Sequence, residues 1–136
     1  MLRDQAVYDI SREARLVSVK FGKRVSIHDI ADYAEALRED SRFDPGFSEI
    51  IDLSEVEQFQ IEAKEAMVLA DQIDPFSLNA LRAFVAQTAS QIHTARMHQL
   101  LRGAQKNIAI FAAFEEARKW VNEVRLADVH PPVRCW

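Results

Sequence analysis

Phe47-Ser-Glu-Ile-Ile-Asp-Leu-Ser-Glu-Val56 follows a Pro45-Gly46 turn and places Ile50, Ile51 and Leu53 almost side by side. Helical patterns lie on both sides of it in sequence. A short apolar run in that setting reads as a strand buried in the middle of a sheet, with both of its faces covered. The remainder of the chain can be laid out around this strand.

Upstream, Ala6 to Ser11 alternates loosely and predicts an outer strand. After a short turn at residues 12–14, Arg15 to Phe21 alternates clearly, with Val17, Val19 and Phe21 on one face and Leu16, Ser18 and Lys20 on the other. A period of two with one apolar face marks a half-covered strand, and so short a link makes the pair an antiparallel hairpin. Ser26 then opens a first helix, with Asp29 placed to complete a capping box. Ile27, Ile30, Tyr33, Ala34 and Leu37 form its apolar stripe. The helix stops near residues 40–42, and Asp44-Pro45-Gly46 turns the chain into the central strand.

Downstream, Glu57 to Gln60 is a polar connector. Ala63, Ala66, Met67 and Ala70 repeat at helical spacing, which predicts a helix from Ile61 to about Ile73, ended by Asp74-Pro75. The next strand starts at Leu78 or Ala80 and runs to Ala86, with Leu81, Phe84 and Val85. Thr88 or Ser90 caps a third helix, in which Met97, Leu100, Leu101 and Ala104 share a stripe and Gly103 closes the last turn. Asn107 to Ala112 is the last strand. A final helix begins near Phe114, with Glu115 and Glu116 at its positive end, Arg118 and Lys119 farther along, and a face of Ala117, Trp120, Val121 and Val124. The predicted order is β-β-α-β-α-β-α-β-α: an α/β domain over residues 1–125 with a mostly parallel five-stranded sheet and an antiparallel edge strand. Residues 126–136, with Pro131-Pro132, are expected to form a C-terminal tail.

With 136 residues, 49% hydrophobic and 28% charged, the chain has the make-up of one globular domain with a sizeable core. Its formal net charge of −4 and the lack of a Lys/Arg cluster argue against nucleic acid. Lys20, Lys23 and Arg24 are the densest basic group and read as a hairpin end or solvated edge. The longest apolar run, Ile108 to Phe114, is far short of a membrane span. No basic head with an apolar stretch behind it opens the chain, and the single cysteine, Cys135, forms no internal disulfide. The expected location is therefore cytoplasmic.

Several segments in this order resemble the SpoIIAA-like superfamily, which holds the STAS anti-sigma-factor antagonists and small uncharacterised bacterial proteins, and is linked to CRAL-TRIO lipid-transfer domains. Asp40-Ser-Arg-Phe-Asp-Pro-Gly-Phe47 leads into Ile50-Ile-Asp-Leu-Ser-Glu-Val56. Arg82-Ala-Phe-Val-Ala86 precedes a helix containing Ala95-Arg96-Met97. Ile108-Ala-Ile-Phe111 runs into Phe114-Glu-Glu-Ala-Arg-Lys-Trp120. The resemblance covers residues 5–123 and implies an α/β fold of four or five strands, with no settled function. STAS antagonists carry a phosphorylatable serine at the start of the helix after the central strand. The matching Gln58-Phe-Gln-Ile-Glu-Ala-Lys64 has neither a hydroxyl residue nor a glycine, so the resemblance brings no such switch to this chain.

Candidate chemistry is sparse. His93 and His98 are about 140° apart around a helix, which is not the spacing of a two-histidine metal motif. His28 and His130 are distant in sequence, so no metal site is expected. Gly22, Gly46 and Gly103 make no phosphate loop, and no cofactor is expected. Ligands of parallel α/β sheets sit beyond the carboxyl ends of the strands, where Asp52, Ser54, Gln87, Thr88 and Phe111 are the weak ligand-binding candidates. Asp52 reads first as a cap on the following loop, with a desolvated carboxylate base as the alternative. Met67, Met97, Phe84 and Trp120 read as core, with an apolar ligand pocket as the alternative. If the helices gathered on one sheet face, Leu16, Phe84 and Phe111 would form an exposed apolar patch. The expectation is a non-enzymatic interaction or regulatory module, a homodimer with a possible protein partner. The alternative is a binder of a small apolar ligand or lipid.

Overall fold

A computed structural model describes residues 6–103 and 106–129, with side chains to residue 125. In chain order the elements are β1 (Val7–Ser11), β2 (Leu16–Lys20), β3 (Arg24–Ser26), α1 (Ile27–Glu39), β4 (Ser48–Asp52), β5 (Gln58–Gln60) and α2 (Ala63–Val68). A π-helical turn (Leu69–Ile73) extends α2, followed by β6 (Arg82–Val85), α3 (Ala89–Arg102), β7 (Ile108–Phe111) and α4 (Phe114–Val129). Five strands form one sheet in the order β1-β2-β4-β6-β7. The β1–β2 hairpin is antiparallel and the other pairings are parallel. The strand at Ser48–Asp52 is central, as its apolar run requires. Helix α4 continues to Val129, past the expected start of the tail, and residues 130–136 lie outside the described chain.

The capping signals are realised. Ser26 and Asp29 make the reciprocal box at the start of α1, and Thr88 does the same with Gln91 for α3. Gly103 ends α3 at φ 65°, a left-handed conformation that glycine adopts without strain.

Three expectations are corrected. First, Arg24–Ser26 and Gln58–Gln60, read as a solvated edge and a polar connector, are strands that pair with each other in parallel. Each is too short to show a period, and each has one apolar residue, Val25 or Phe59. Second, both sheet faces are covered. Leu16 and Phe111 pack with Ile50, Ala83, Val85 and Trp120 on the α4 side, whereas Phe84 is buried on the opposite side. Alternating side chains of adjacent strands point to opposite faces, so these three form no exposed patch.

Third, the described members of the apolar stripe chosen for α3, and Ala63 and Met67 of the one chosen for α2, stand at the surface, whereas Ala66 is half-buried and Ala70 buried. Met67 and Leu100 are each 60% exposed, and Met97 and Leu101 each 39%. The side of α3 turned inward carries Gln91, Ala95, His98 and Arg102, and the polar members find partners inside the protein. Ala104 lies outside the described residues.

A candidate ligand cavity over a buried ionic cluster

Glu49 and Arg82 stand opposite each other in the β4–β6 pairing, on the sheet face covered by α1 and α3. Both are essentially buried, at 1% and 5% exposure. The Arg82 guanidinium donates from Nε and Nη2 to Glu49 Oε1, at 2.9 and 2.7 Å, and from Nη1 to Asp74 Oδ2 at 2.6 Å. Its Cζ lies 4.6 Å from the centre of the Phe76 ring. Tyr33, from α1, donates its hydroxyl to Glu49 Oε2 at 2.5 Å. A planar cation bridging two carboxylates is the arrangement that makes such burial tolerable, because each charge keeps directed partners after losing water.

Asp74 reaches this cluster from the end of the π-helical turn. Its N–H donates to Leu69 carbonyl, five residues back, so the final turn is one residue wider than an α-turn. Asp74 Oδ1 accepts from Phe76 N–H at 3.0 Å, and Oδ2 lies 2.8 Å from His98 Nε2. Arg102 straps the segment down by donating to Ala70 and Phe76 carbonyls at 2.9 and 2.8 Å. α3 therefore supplies two residues that hold the end of the preceding helical segment against the sheet.

Burial drives the Glu49 carboxyl upward, with the Arg82 charge opposing it. Burial also works against ionised Asp74, but the His98 hydrogen bond and the Arg82 charge outweigh it and hold the carboxyl well below the ordinary range. Burial, then the Glu49 carboxylate, pushes the Tyr33 hydroxyl well above its usual value. The Arg82 guanidinium is also desolvated, yet Glu49 and Asp74 keep it firmly protonated.

Above this cluster lies a cavity of about 310 Å³. Its walls are apolar, drawn from β2–β3 (Phe21, Val25), α1 (Ile30, Ala34), β4 and its following loop (Ile51, Leu53), β6 (Phe84) and α2 (Ala66). Glu49, Asp74, Arg82, Tyr33 and His98 supply its polar end. Exposed Glu62, Ala63, His93, Met97 and Leu101 mark its mouth, between the start of α2 and α3. Ligand sites combine an apolar concavity with a few convergent polar groups in this way, and the volume is at the small end of their range.

The residues singled out from the sequence lie elsewhere. Asp52 Oδ1 accepts from Ser54 N–H at 2.9 Å, so the carboxylate caps its loop. The Ser54 carbonyl accepts from Gln91 Nε2 at 3.3 Å. Thr88 caps α3 through its hydroxyl, at 3.2 Å from Gln91 N–H. Gln87 donates its side-chain amide to Ala112 carbonyl at 3.0 Å. Phe111 packs against Trp120 on the other sheet face, with ring centres 5.7 Å apart. Asp52, Ser54, Gln87, Thr88 and Phe111 are not among the cavity walls. Of the apolar candidates, Phe84 and Met97 line the cavity, whereas Met67 and Trp120 do not. His93 and His98 both border it, one at the mouth and one in the interior. The cluster itself left two traces in the sequence: a charged residue inside each of two apolar strands, and a polar stripe at positions 91, 98 and 102 of a helix.

No family model matches the chain, and no curated protein does. Among solved structures, the chain is similar to an uncharacterised protein of the DUF3478 family from Shewanella loihica PV-4, whose fold is described as SpoIIAA-like. The two share 14% sequence identity with a TM-score of 0.59, over 89% of this chain and 97% of the other. This chain, with its hairpin-led, mostly parallel sheet covered on both faces, has the SpoIIAA-like fold.

Proposed function

We propose that the chain is a non-enzymatic binding module that takes one small, largely apolar molecule into the cavity between α1, α2, α3 and the sheet. The cavity itself carries this reading: about 310 Å³ of apolar-walled space reaching a buried polar end. Its size suits a single short chain or ring system and is too small for a two-chain lipid. The polar groups below it are engaged chiefly with one another, as expected of an anchor that orients a ligand. Thr94, a second hydroxyl residue of the cavity lining besides Tyr33, donates to Ser90 carbonyl at 2.9 Å and makes no pair with His98.

Native mass spectrometry with octanoate as probe tests the reading. A saturable one-to-one complex is expected, and it should disappear in Ala66→Trp, where an indole fills the cavity from α2. Unchanged binding in that variant, at unchanged melting temperature, would remove the cavity from the account.

A second reading, a protein-interaction module or homodimer, is favoured by the exposed side chains of Met67, Val68, Leu78, Met97, Leu100 and Leu101. Apolar side chains gathered on one surface mark interfaces more often than chance. Sedimentation of the full chain at tens of micromolar separates the two: a dimer lost in Leu100→Lys supports it, and a monomer throughout removes it.

A further inference from the structure

Helix α2 forms one wall of the cavity and is held by very little. Ala63, Ala66 and, at its end, Leu69 line the space. No residue of α2 is buried: Ala63, Lys64, Met67 and Val68 are exposed, and Glu65 and Ala66 are half-buried. Its capping bond is internal, from Glu62 N–H to Glu65 Oε1 at 2.9 Å. Among the described residues, no hydrogen bond or ion pair joins residues 61–68 to another element. So short a helix has almost no stability of its own and depends on the apolar area it buries, which here is small. The other two helices over this face are better secured. α1 buries Tyr33, Ala34 and Leu37, and α3 is tied to its surroundings through Gln91, Gln99 and Arg102.

The ends of α2 are unlike. Past Leu69 the chain is pinned from three sides: Arg102 donates to the Ala70 and Phe76 carbonyls, Arg38 donates to the Ile73 carbonyl, and Asp74 meets Arg82 and His98. Ahead of α2 there is only the three-residue pairing of β5 with β3. At Leu69 itself the helix changes type. Its N–H divides between the Glu65 and Ala66 carbonyls, and its own carbonyl accepts from Asp74, five residues on. A junction of this kind is where a helix bends.

Building on the cavity reading above, we infer that α2 is the lid of the cavity, that it pivots at Leu69, and that an apolar ligand closes it. Opening peels α2 away from its Glu62 end while the π-helical turn stays in place. It breaks few buried contacts and none of the buried ion pairs, so it belongs to the low-cost end of local opening. A ligand in the cavity gives Ala63, Ala66 and Leu69 an apolar partner. It therefore binds the closed form better and draws the population toward it.

Amide exchange of the full chain, followed by NMR with and without octanoate, tests this. In the free protein the Ala66, Met67 and Val68 amides should exchange about a hundredfold or more faster than those of Ala95 and Arg96 in mid-α3. Saturating octanoate should slow them about tenfold or more, while the Asp74 amide, beyond the pivot, exchanges slowly in both states. Met67→Gly supplies a second arm, because Met67 is not among the cavity walls and glycine loosens the helix by itself. It should raise α2 amide exchange and the octanoate release rate, read from NMR line shapes, by the same factor of about three to five. Free-protein exchange in α2 as slow as in α3 overturns the lid, whatever binds. Octanoate that binds without changing α2 exchange, or a release rate unmoved by Met67→Gly, overturns the lid and leaves the cavity reading standing. No binding of octanoate overturns both.

Discussion

Asp74 and Arg82, eight residues apart in sequence, meet at 2.6 Å inside the protein, one ending a π-helical turn and the other in the strand beside the central one. That contact joins the helical layer to the sheet by charge, beside the hydrogen bonds from Tyr33 to Glu49 and from Gln99 to Ile108 carbonyl. It also carries the polar end of the cavity, since Arg82 then reaches Glu49 and Asp74 then holds His98.

Removing the shared cation tests how much depends on it. Arg82→Met leaves Glu49 buried without a counter-charge and leaves Asp74 only His98 and the Arg102 guanidinium, whose Nε lies 3.6 Å away. Breaking a buried pair by deleting one partner costs about 3–5 kcal/mol. Urea unfolding followed by circular dichroism should show a loss of this size. The double variant Arg82→Met with Glu49→Met should recover part of it, because the uncompensated charge is then gone as well.

The two carboxylates should give opposite signs in a pH titration of stability. Asp74 has its carboxyl below the ordinary 3.8, so its contribution is present above that pH and is lost as pH falls toward the folded value. Glu49 has its carboxyl above the ordinary 4.5, so the folded state holds its proton longer than the unfolded chain does. Stability from this group is greatest at or below 4.5 and declines as pH rises through the folded value. Melting temperatures of Asp74→Asn should show a flatter acid limb below about pH 4, and those of Glu49→Gln should lose the decline above 4.5. The same slope in wild type and both variants would contradict the assignment.

Gln91 is a buried polar residue with no ionic role. Its Oε1 accepts from Gln87 and Thr88 N–H groups, and its Nε2 donates to Ser54 and Val56 carbonyls. Gln91→Met should cost at least about 2 kcal/mol, because several backbone groups lose their partner at once. Hydrogen exchange at Gln87 and Thr88 should speed up in the variant before global unfolding does.

Gly103 tests backbone conformation alone. A Cβ there meets nothing within 4 Å, yet the residue sits at φ 65°. Gly103→Ala should therefore cost about 1–2 kcal/mol with no packing change, and Gly103→Asn less. Thermal melting of the pair decides it.

Much of the architecture was legible without coordinates, because it rests on neighbours in sequence. The Ser26–Asp29 box, the Asp74-Pro75 stop, the alternation at Val17, Val19 and Phe21, and the apolar run at Ile50 and Ile51 are each set within a few residues. The hairpin and the helical crossovers then follow from chain geometry. The candidate site was not legible in the same way. Met97, Leu100 and Leu101 are as apolar as any core stripe, and nothing local tells them from one that is buried.

What the sequence determined by itself is the five strands of the main sheet, the four helices, their order and the caps of α1 and α3, but not the short β3–β5 pair. Only the tertiary structure decided that α3 turns Gln91, His98 and Arg102 inward, that Glu49 and Arg82 share a face, and that a cavity stands over them. The physical reason is that a buried charge is tolerable only when its partner arrives from another element, and the partners here come from β4, β6, the π-helical turn, α1 and α3 together. No window of neighbouring residues contains that information.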